Sequence, residues 1–205
     1  MEKTTGEEVR KEFEELFKKY GLPKAIRSDN GTPFASKGML GLTSLSAWWI
    51  TLGIMPDRTD PGSPTQNGSH ERMHADLSRE IQGKISGGVK ANQAAIDEWS
   101  KEYNEVRPHE ALNMKTPSEV YRKSERKYDG SPCEHEYPFG FEAKKIHRSG
   151  CVKLEKQECY ISGSLAGLTV GLQPKGDGEH LVWLNDFPLG VLDSKLATFR
   201  PQTEA

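Results

Sequence analysis

Two carboxylates stand in positions from which they could form one site. Asp29 directly follows the short apolar stretch Ala25–Ile26 and precedes the turn signal Asn30-Gly31. Glu71 comes after a run of helix breakers, residues 56–68, and opens an amphipathic pattern. Carboxylates brought together could bind divalent cations through their oxygens. From spacing alone an alternative stays open, in which Asp29 caps a turn and Glu71 stabilises the N-terminus of its helix.

Glu71 also lies within a zinc-type pattern, the H-E-x-x-H formed by residues 70–74. On a helix, His70 and His74 share one face and could hold zinc, with the Glu as general base. The pattern adjoins Asn67-Gly68, places the charged Arg72 between the two histidines, and has no evident third ligand. We therefore predict that the chain holds no zinc.

The elements that must position these residues follow from hydrophobic periodicity. Apolar residues at helical spacing and flanking breakers predict helices at residues 5–20, 44–52, from 69 onwards, 91–106 and a short one from 116, with a short strand before Asp29. Trp48 and Trp49 fall on the apolar face of the second helix, which predicts a packing role. Thr116 and Glu119 are spaced as a capping box.

The sequence pattern changes after Tyr128. Short apolar segments separated by glycines and by Asn185-Asp186 predict strands of a small β-barrel. We place the domain boundary in a linker at residues 129–137, between a region at 1–128 and a barrel at 138–205.

Composition excludes some classes of protein. No apolar run approaches the ~18 residues of a membrane-spanning helix, and the first residues lack a leader pattern, so we expect a cytoplasmic protein. The formal net charge of -2 shows that any nucleic-acid contact must come from a local patch. Cys133, Cys151 and Cys159 match neither a zinc pair nor a disulfide framework, which predicts reduced thiols.

Several motifs then occur in a consistent order along the chain. They are residues 20–23 (YGLP), 27–34 (RSDNGTPF), 52–54 (LGI), 64–68 (PTQNG), 71–72 (ER), 103–112 (YNEVRPHEAL) and 116–117 (TP). In this order they resemble the Asp-Asp-Glu integrase core of bacterial insertion-sequence transposases. Residues 160–172 are similar to the Mu-transposase-like β-barrel that follows such cores.

The resemblance implies a fold and a chemistry. The implied fold is α/β, an RNase H-like integrase core whose first strands are missing here, followed by a small all-β SH3-like barrel. The implied activity is DNA integration and recombination by phosphoryl transfer assisted by Mg²⁺ or Mn²⁺. Asp29 matches the family's second aspartate and Glu71 its third carboxylate.

The family's first aspartate has no counterpart, because no aspartate precedes Asp29. We therefore expect an N-terminally truncated transposase that does not cut or join DNA alone, since two carboxylates offset less of the metal charge than three. A separately encoded N-terminal part could complete the site, and a homo-oligomer is possible. The alternative is a non-enzymatic DNA-binding or assembly module that modulates an intact transposase.

Basic residues beside Glu71 and in the tail are candidate contacts to transposon ends and target DNA. Those off the apolar stripe of the third helix are Arg72, His74, Arg79 and Lys84, and those in the tail are Lys144, Lys145 and Arg148. Such groups suit phosphate contacts that position DNA without reading its sequence. The alternative for the helix is a solvated face balanced by Asp76 and Glu80.

Overall fold

The computed structural model describes residues 6–60, 68–82, 88–132, 135–154 and 157–202. Thr5, Lys84 and Cys133 therefore lie outside the described residues. The helices are α1 (Gly6–Tyr20), α2 (Ser44–Thr51), α3 (Gly68–Ile81), α4 (Val89–Glu105) and α5 (Pro117–Val120). The strands are β1 (Ala25–Ser28), β2 (Met55–Arg58), β3 (Glu142–Lys145), β4 (Cys151–Leu154), β5 (Gln157–Tyr160), β6 (Thr169–Gly176), β7 (Glu179–Leu184), β8 (Phe187–Asp193) and β9 (Thr198–Pro201). The mixed α/β class predicted from the sequence is confirmed.

The chain forms two compact units. The first unit contains the residues up to Arg58 and those from Ser124 onwards, and the second unit contains Thr59–Lys123. In the described part of both units, no helix combines the length and the apolar character needed to cross a membrane.

The first unit begins with α1 and a parallel βαβ motif. Strands β1 and β2 pair in parallel, with Ala25 opposite Met55, and α2 connects them. Thr43 caps α2, because its hydroxyl accepts a hydrogen bond from the Ser46 amide at 3.2 Å. Trp48 and Trp49 lie in the apolar cluster between α1 and α2, which confirms their predicted packing role.

Helix α2 is buried on all sides, because it packs against two clusters. Leu45, Trp48 and Trp49 face the α1 side, whereas Ala47 and Ile50 belong to the apolar cluster of the C-terminal strands. A helix with apolar residues around its whole circumference is stable only when it is enclosed in this way.

Residues 124–126 return to the βαβ motif from far along the chain. The Arg126 guanidinium donates to the carbonyls of Pro23, at 2.9 Å, and Leu52, at 2.6 Å. The Ser124 hydroxyl donates to the Leu22 carbonyl at 2.6 Å. These bonds fix the chain just before it enters β1 and just before it enters β2.

The described C-terminal part consists of β-strands and one short 3-10 helix at Gly163–Leu165, and the strands agree with the glycine-separated apolar segments of the sequence. Its main sheet is antiparallel in the order β3-β6-β7-β8-β9, and β4 and β5 form a separate hairpin. Cys151 and Cys159 lie in this hairpin as free thiols, as predicted. Tyr137 covers the sheet: its ring lies over Gly171, and its hydroxyl donates toward the Thr169 carbonyl at 3.1 Å.

The second unit is helical throughout its regular elements. Helices α3 and α4 bury Ile81 and Trp99. Thr116 and Glu119 form the predicted capping box at α5, with the Thr116 amide donating to the Glu119 carboxylate at 2.7 Å. That backbone bond holds the pKa of Glu119 below its usual range.

Candidate functional site

Asp29 directly follows β1, at the carboxyl end of the parallel pair. Its side chain is exposed, and Oδ1 accepts the Gly31 amide at 3.1 Å. The turn then continues through the Phe34 and Ala35 amides, both of which donate to the Gly31 carbonyl at 3.0 Å. The carboxylate therefore caps this turn and still faces solvent, so the turn role and a ligand role are compatible.

The close approach of residue 31 to this carboxylate favours glycine. A Cβ atom at Gly31 would lie 3.3 Å from both oxygens of Asp29, so a larger residue would crowd them.

Glu71 lies in the first turn of α3 and is exposed. It belongs to the second unit, whereas Asp29 belongs to the first, and each carboxylate is fixed by its own unit. Within the described ranges, no group of three or more histidine, cysteine or acidic side chains is arranged to hold a metal ion.

The basic candidates on α3 differ in whether a neighbouring carboxylate balances their charge. Arg72 and His74 are exposed. Arg79 forms an ion pair with Asp76 at 2.6 Å, so most of its charge is balanced on the same helix. Lys84 lies outside the described residues.

The tail candidates lie on and after β3. Lys144 forms an ion pair with Glu142 at 2.5 Å. Lys145 and Arg148 are exposed, and neither forms an ion pair with any residue in the described part of the chain. Lys145 and Arg148 are therefore the tail groups whose charge is available to a phosphate.

A half-buried ion pair joins α3 to the segment after α4, and sequence reasoning did not identify it. Glu80 accepts two hydrogen bonds from the Arg107 guanidinium, at 3.1 and 2.6 Å, and a third from Trp99 Nε1 at 2.8 Å. Arg107 also lies over the Trp99 and Tyr103 rings. Arg107 therefore acts as a packing residue that fixes α3, the helix of Glu71.

These contacts shift the pKa of both Glu80 and Arg107. The Arg107 guanidinium, followed by the Trp99 N–H, holds the pKa of Glu80 below its usual range. The Glu80 carboxylate in turn raises the pKa of Arg107. Helical periodicity in the sequence places Glu80 and Trp99 on helix faces. It does not show that Arg107 is the ion-pair partner of Glu80.

The lowered pKa of Glu80 predicts a pH dependence of stability. Because the folded state favours the ionised carboxylate, the contribution of Glu80 is present above its unfolded pKa and is lost as pH falls through its folded pKa. Glu80→Gln should be less stable than the wild type at neutral pH, and the difference should shrink in acid. Urea unfolding followed by the circular dichroism of the helices measures it, with the exposed Glu98→Gln as control. An equal difference at both pH values would contradict this assignment.

Comparison with known proteins gives a family match within this region. Residues 52–117 match the model of the integrase core domain. The matched segment includes Glu71, α3, α4 and the Glu80–Arg107 pair, whereas Asp29 precedes it.

Proteins of insertion elements are among the relatives. The chain is 35% identical over 104 residues to an insertion element IS407 protein of Burkholderia multivorans, covering 50% of this chain and 35% of that protein. It is 30% identical to an insertion element IS476 protein of Xanthomonas euvesicatoria, covering 48% and 27%. It is 34% identical to an insertion element IS136 protein of Agrobacterium fabrum, covering 53% and 54%. The chain thus spans only a part of each of these relatives.

A solved structure also shows similarity. It is the cryo-electron microscopy structure of the simian T-cell lymphotropic virus intasome in complex with a regulatory subunit of PP2A. The match has a TM-score of 0.45 and 14% identity, and it covers 92% of this chain and 65% of that one.

Proposed function

We propose that this chain takes part in DNA integration by phosphoryl transfer, as an integrase core segment of the kind found in insertion-element proteins. The observation that carries the proposal is the placement of two exposed carboxylates. Asp29 ends a parallel strand, and Glu71 opens a helix inside the matched segment.

The donor chemistry of these two residues fits Mg²⁺ or Mn²⁺. Both offer solvent-accessible carboxylate oxygens, which are the ligands that such hard cations prefer. Asp29 and Glu71 would hold the ions, and bound ions would polarise the phosphate and stabilise developing charge on oxygen. The chain's own part is positional: the turn at Gly31 orients Asp29, and the Glu80–Arg107 pair fixes the helix of Glu71.

Two carboxylates form an incomplete set for this chemistry. No third ligand joins either carboxylate in the ranges that the structure describes. A third carboxylate would offset more of the metal charge. We therefore propose that a carboxylate from outside the described residues completes the set, and that the reaction takes place in the cytoplasm.

The edge of β1 that does not pair with β2 could accept a further strand, and such a strand could carry the additional carboxylate. Strand β1 pairs with β2 alone in its sheet, as far as the described residues show. A strand added at its other edge would satisfy the backbone groups there. An aspartate at the end of an added parallel strand would then lie beside Asp29.

DNA contacts are proposed for the unpaired basic residues. Lys145→Gln and Arg148→Gln should each lower affinity for duplex DNA and reduce the dependence of log K on log salt by about 1, because each removes a phosphate contact. Fluorescence anisotropy at several salt concentrations measures both quantities.

Lys144→Gln is the matched control for this measurement. Its ammonium already pairs with Glu142, so its loss should change the salt slope less. Equal slopes for all three variants would contradict the proposed contacts. DNA affinity without any strand transfer, even with a partner segment present, would favour the non-enzymatic binding module instead.

A further inference from the structure

Two histidine rings meet on the exposed surface of α3. His70 and His74 lie one turn apart, and their Nε2 atoms are 3.1 Å apart. The ring centroids are separated by 4.4 Å with the planes at 82°, so the two nitrogens converge while the rings avoid stacking. Both residues are exposed.

The separation of the nitrogens suits chelation of one ion. With metal–nitrogen bonds of about 2.0–2.1 Å, two ligand nitrogens stand ~2.9 Å apart at a right angle and ~3.4 Å apart at the tetrahedral angle. The observed distance lies between these limits. We propose that His70 and His74 form a two-ligand site for a divalent ion of the Ni–Cu–Zn group.

This site differs in chemistry from the carboxylate pair. Imidazole nitrogen suits nickel, copper and zinc, whereas Mg²⁺ prefers oxygen ligands. The proposal is therefore independent of the proposed function, although the two sites share the first turn of α3.

The proposal revises the sequence-based prediction of no zinc. That prediction rested on the lack of a third ligand and of an apolar shell, which a catalytic zinc needs. A chelate of two exposed rings needs neither, because water fills the remaining positions. A bound ion would add positive charge to the exposed face of α3 that His70 and His74 share.

Titration of the full chain with NiCl₂ or ZnCl₂ in an isothermal calorimeter tests the site. The wild type should bind one ion per chain, and His74→Ala should bind at least about tenfold more weakly, because the second ligand no longer acts at high effective concentration. The double variant His74→Ala/Ala75→His keeps the number of histidines but moves one ring to another face of α3, and it should bind as weakly as His74→Ala. His147→Gln, which removes an exposed histidine of the first unit, should bind as the wild type does.

Electron paramagnetic resonance of the Cu²⁺-loaded chain gives a second readout. The wild-type spectrum should show two equatorial imidazole nitrogens, and the His74→Ala spectrum should show one. The site is refuted if wild type and His74→Ala have equal affinity, or if the double variant binds like the wild type. In that case the short contact is an ordinary hydrogen bond between the two rings.

Discussion

Replacing Trp49 with alanine is expected to lower the free energy of unfolding of the first unit by about 3–5 kcal/mol. The side chain is fully buried and packs against the Phe13 ring at a centroid distance of 5.0 Å and the Phe34 ring at 5.8 Å. Because Phe34 closes the turn that follows Asp29, the loss of Trp49 should also loosen the support of that carboxylate. Denaturant unfolding of the purified chain measures the stability change.

Trp49→Phe provides the matched control. The indole N–H has no hydrogen-bond partner in the described structure, so phenylalanine removes volume without orphaning a polar partner. Its cost should be clearly smaller than that of the alanine variant. Equal stability of Trp49→Ala and wild type would show that this cluster does not hold the βαβ motif together.

Replacing Glu71 with glutamine is expected to lower strand transfer by at least about a thousandfold in a complex that contains the third carboxylate, a loss of ~4 kcal/mol in transition-state stabilisation. The amide keeps the shape of the side chain but removes the charge that would hold a metal ion. Asp29→Asn should have an effect of similar size for the same reason. A strand-transfer assay on labelled duplex DNA measures both variants.

The exposed Glu98→Gln is the control, because it removes one negative charge from α4 without touching either carboxylate. Its strand transfer should match that of the wild type. Activity of Glu71→Gln within a few fold of wild type would remove Glu71 from the catalytic set.

Local patterns predicted much of the fold. Helical periodicity located α1 through α4 to within a few residues, and the apolar stretch before Asp29 predicted β1. The Thr116–Glu119 capping box was predictable from the sequence because it depends on a spacing of three residues. Each of these features arises from interactions within one or two turns of chain.

Contacts between distant residues were not predictable from the sequence. Arg126 binds carbonyls more than seventy positions earlier, and Arg107 binds Glu80 across two helices. Any of many arginines could satisfy such carbonyls or carboxylates, and only the assembled fold selects one. For the same reason the pattern at residues 70–74 indicated a shared helix face without the convergence of the two Nε2 atoms.

Metal-dependent strand transfer by the purified 205-residue chain tests the central claim most directly. The assay compares the chain alone with the chain plus any polypeptide, encoded immediately upstream in the genomic DNA, that supplies a strand ending in aspartate. We predict no product above background from the chain alone with Mg²⁺ or Mn²⁺, and Glu71-dependent product from the combination. Robust strand transfer by the chain alone, abolished by Asp29→Asn, would show that its own residues complete the metal site and would contradict the account.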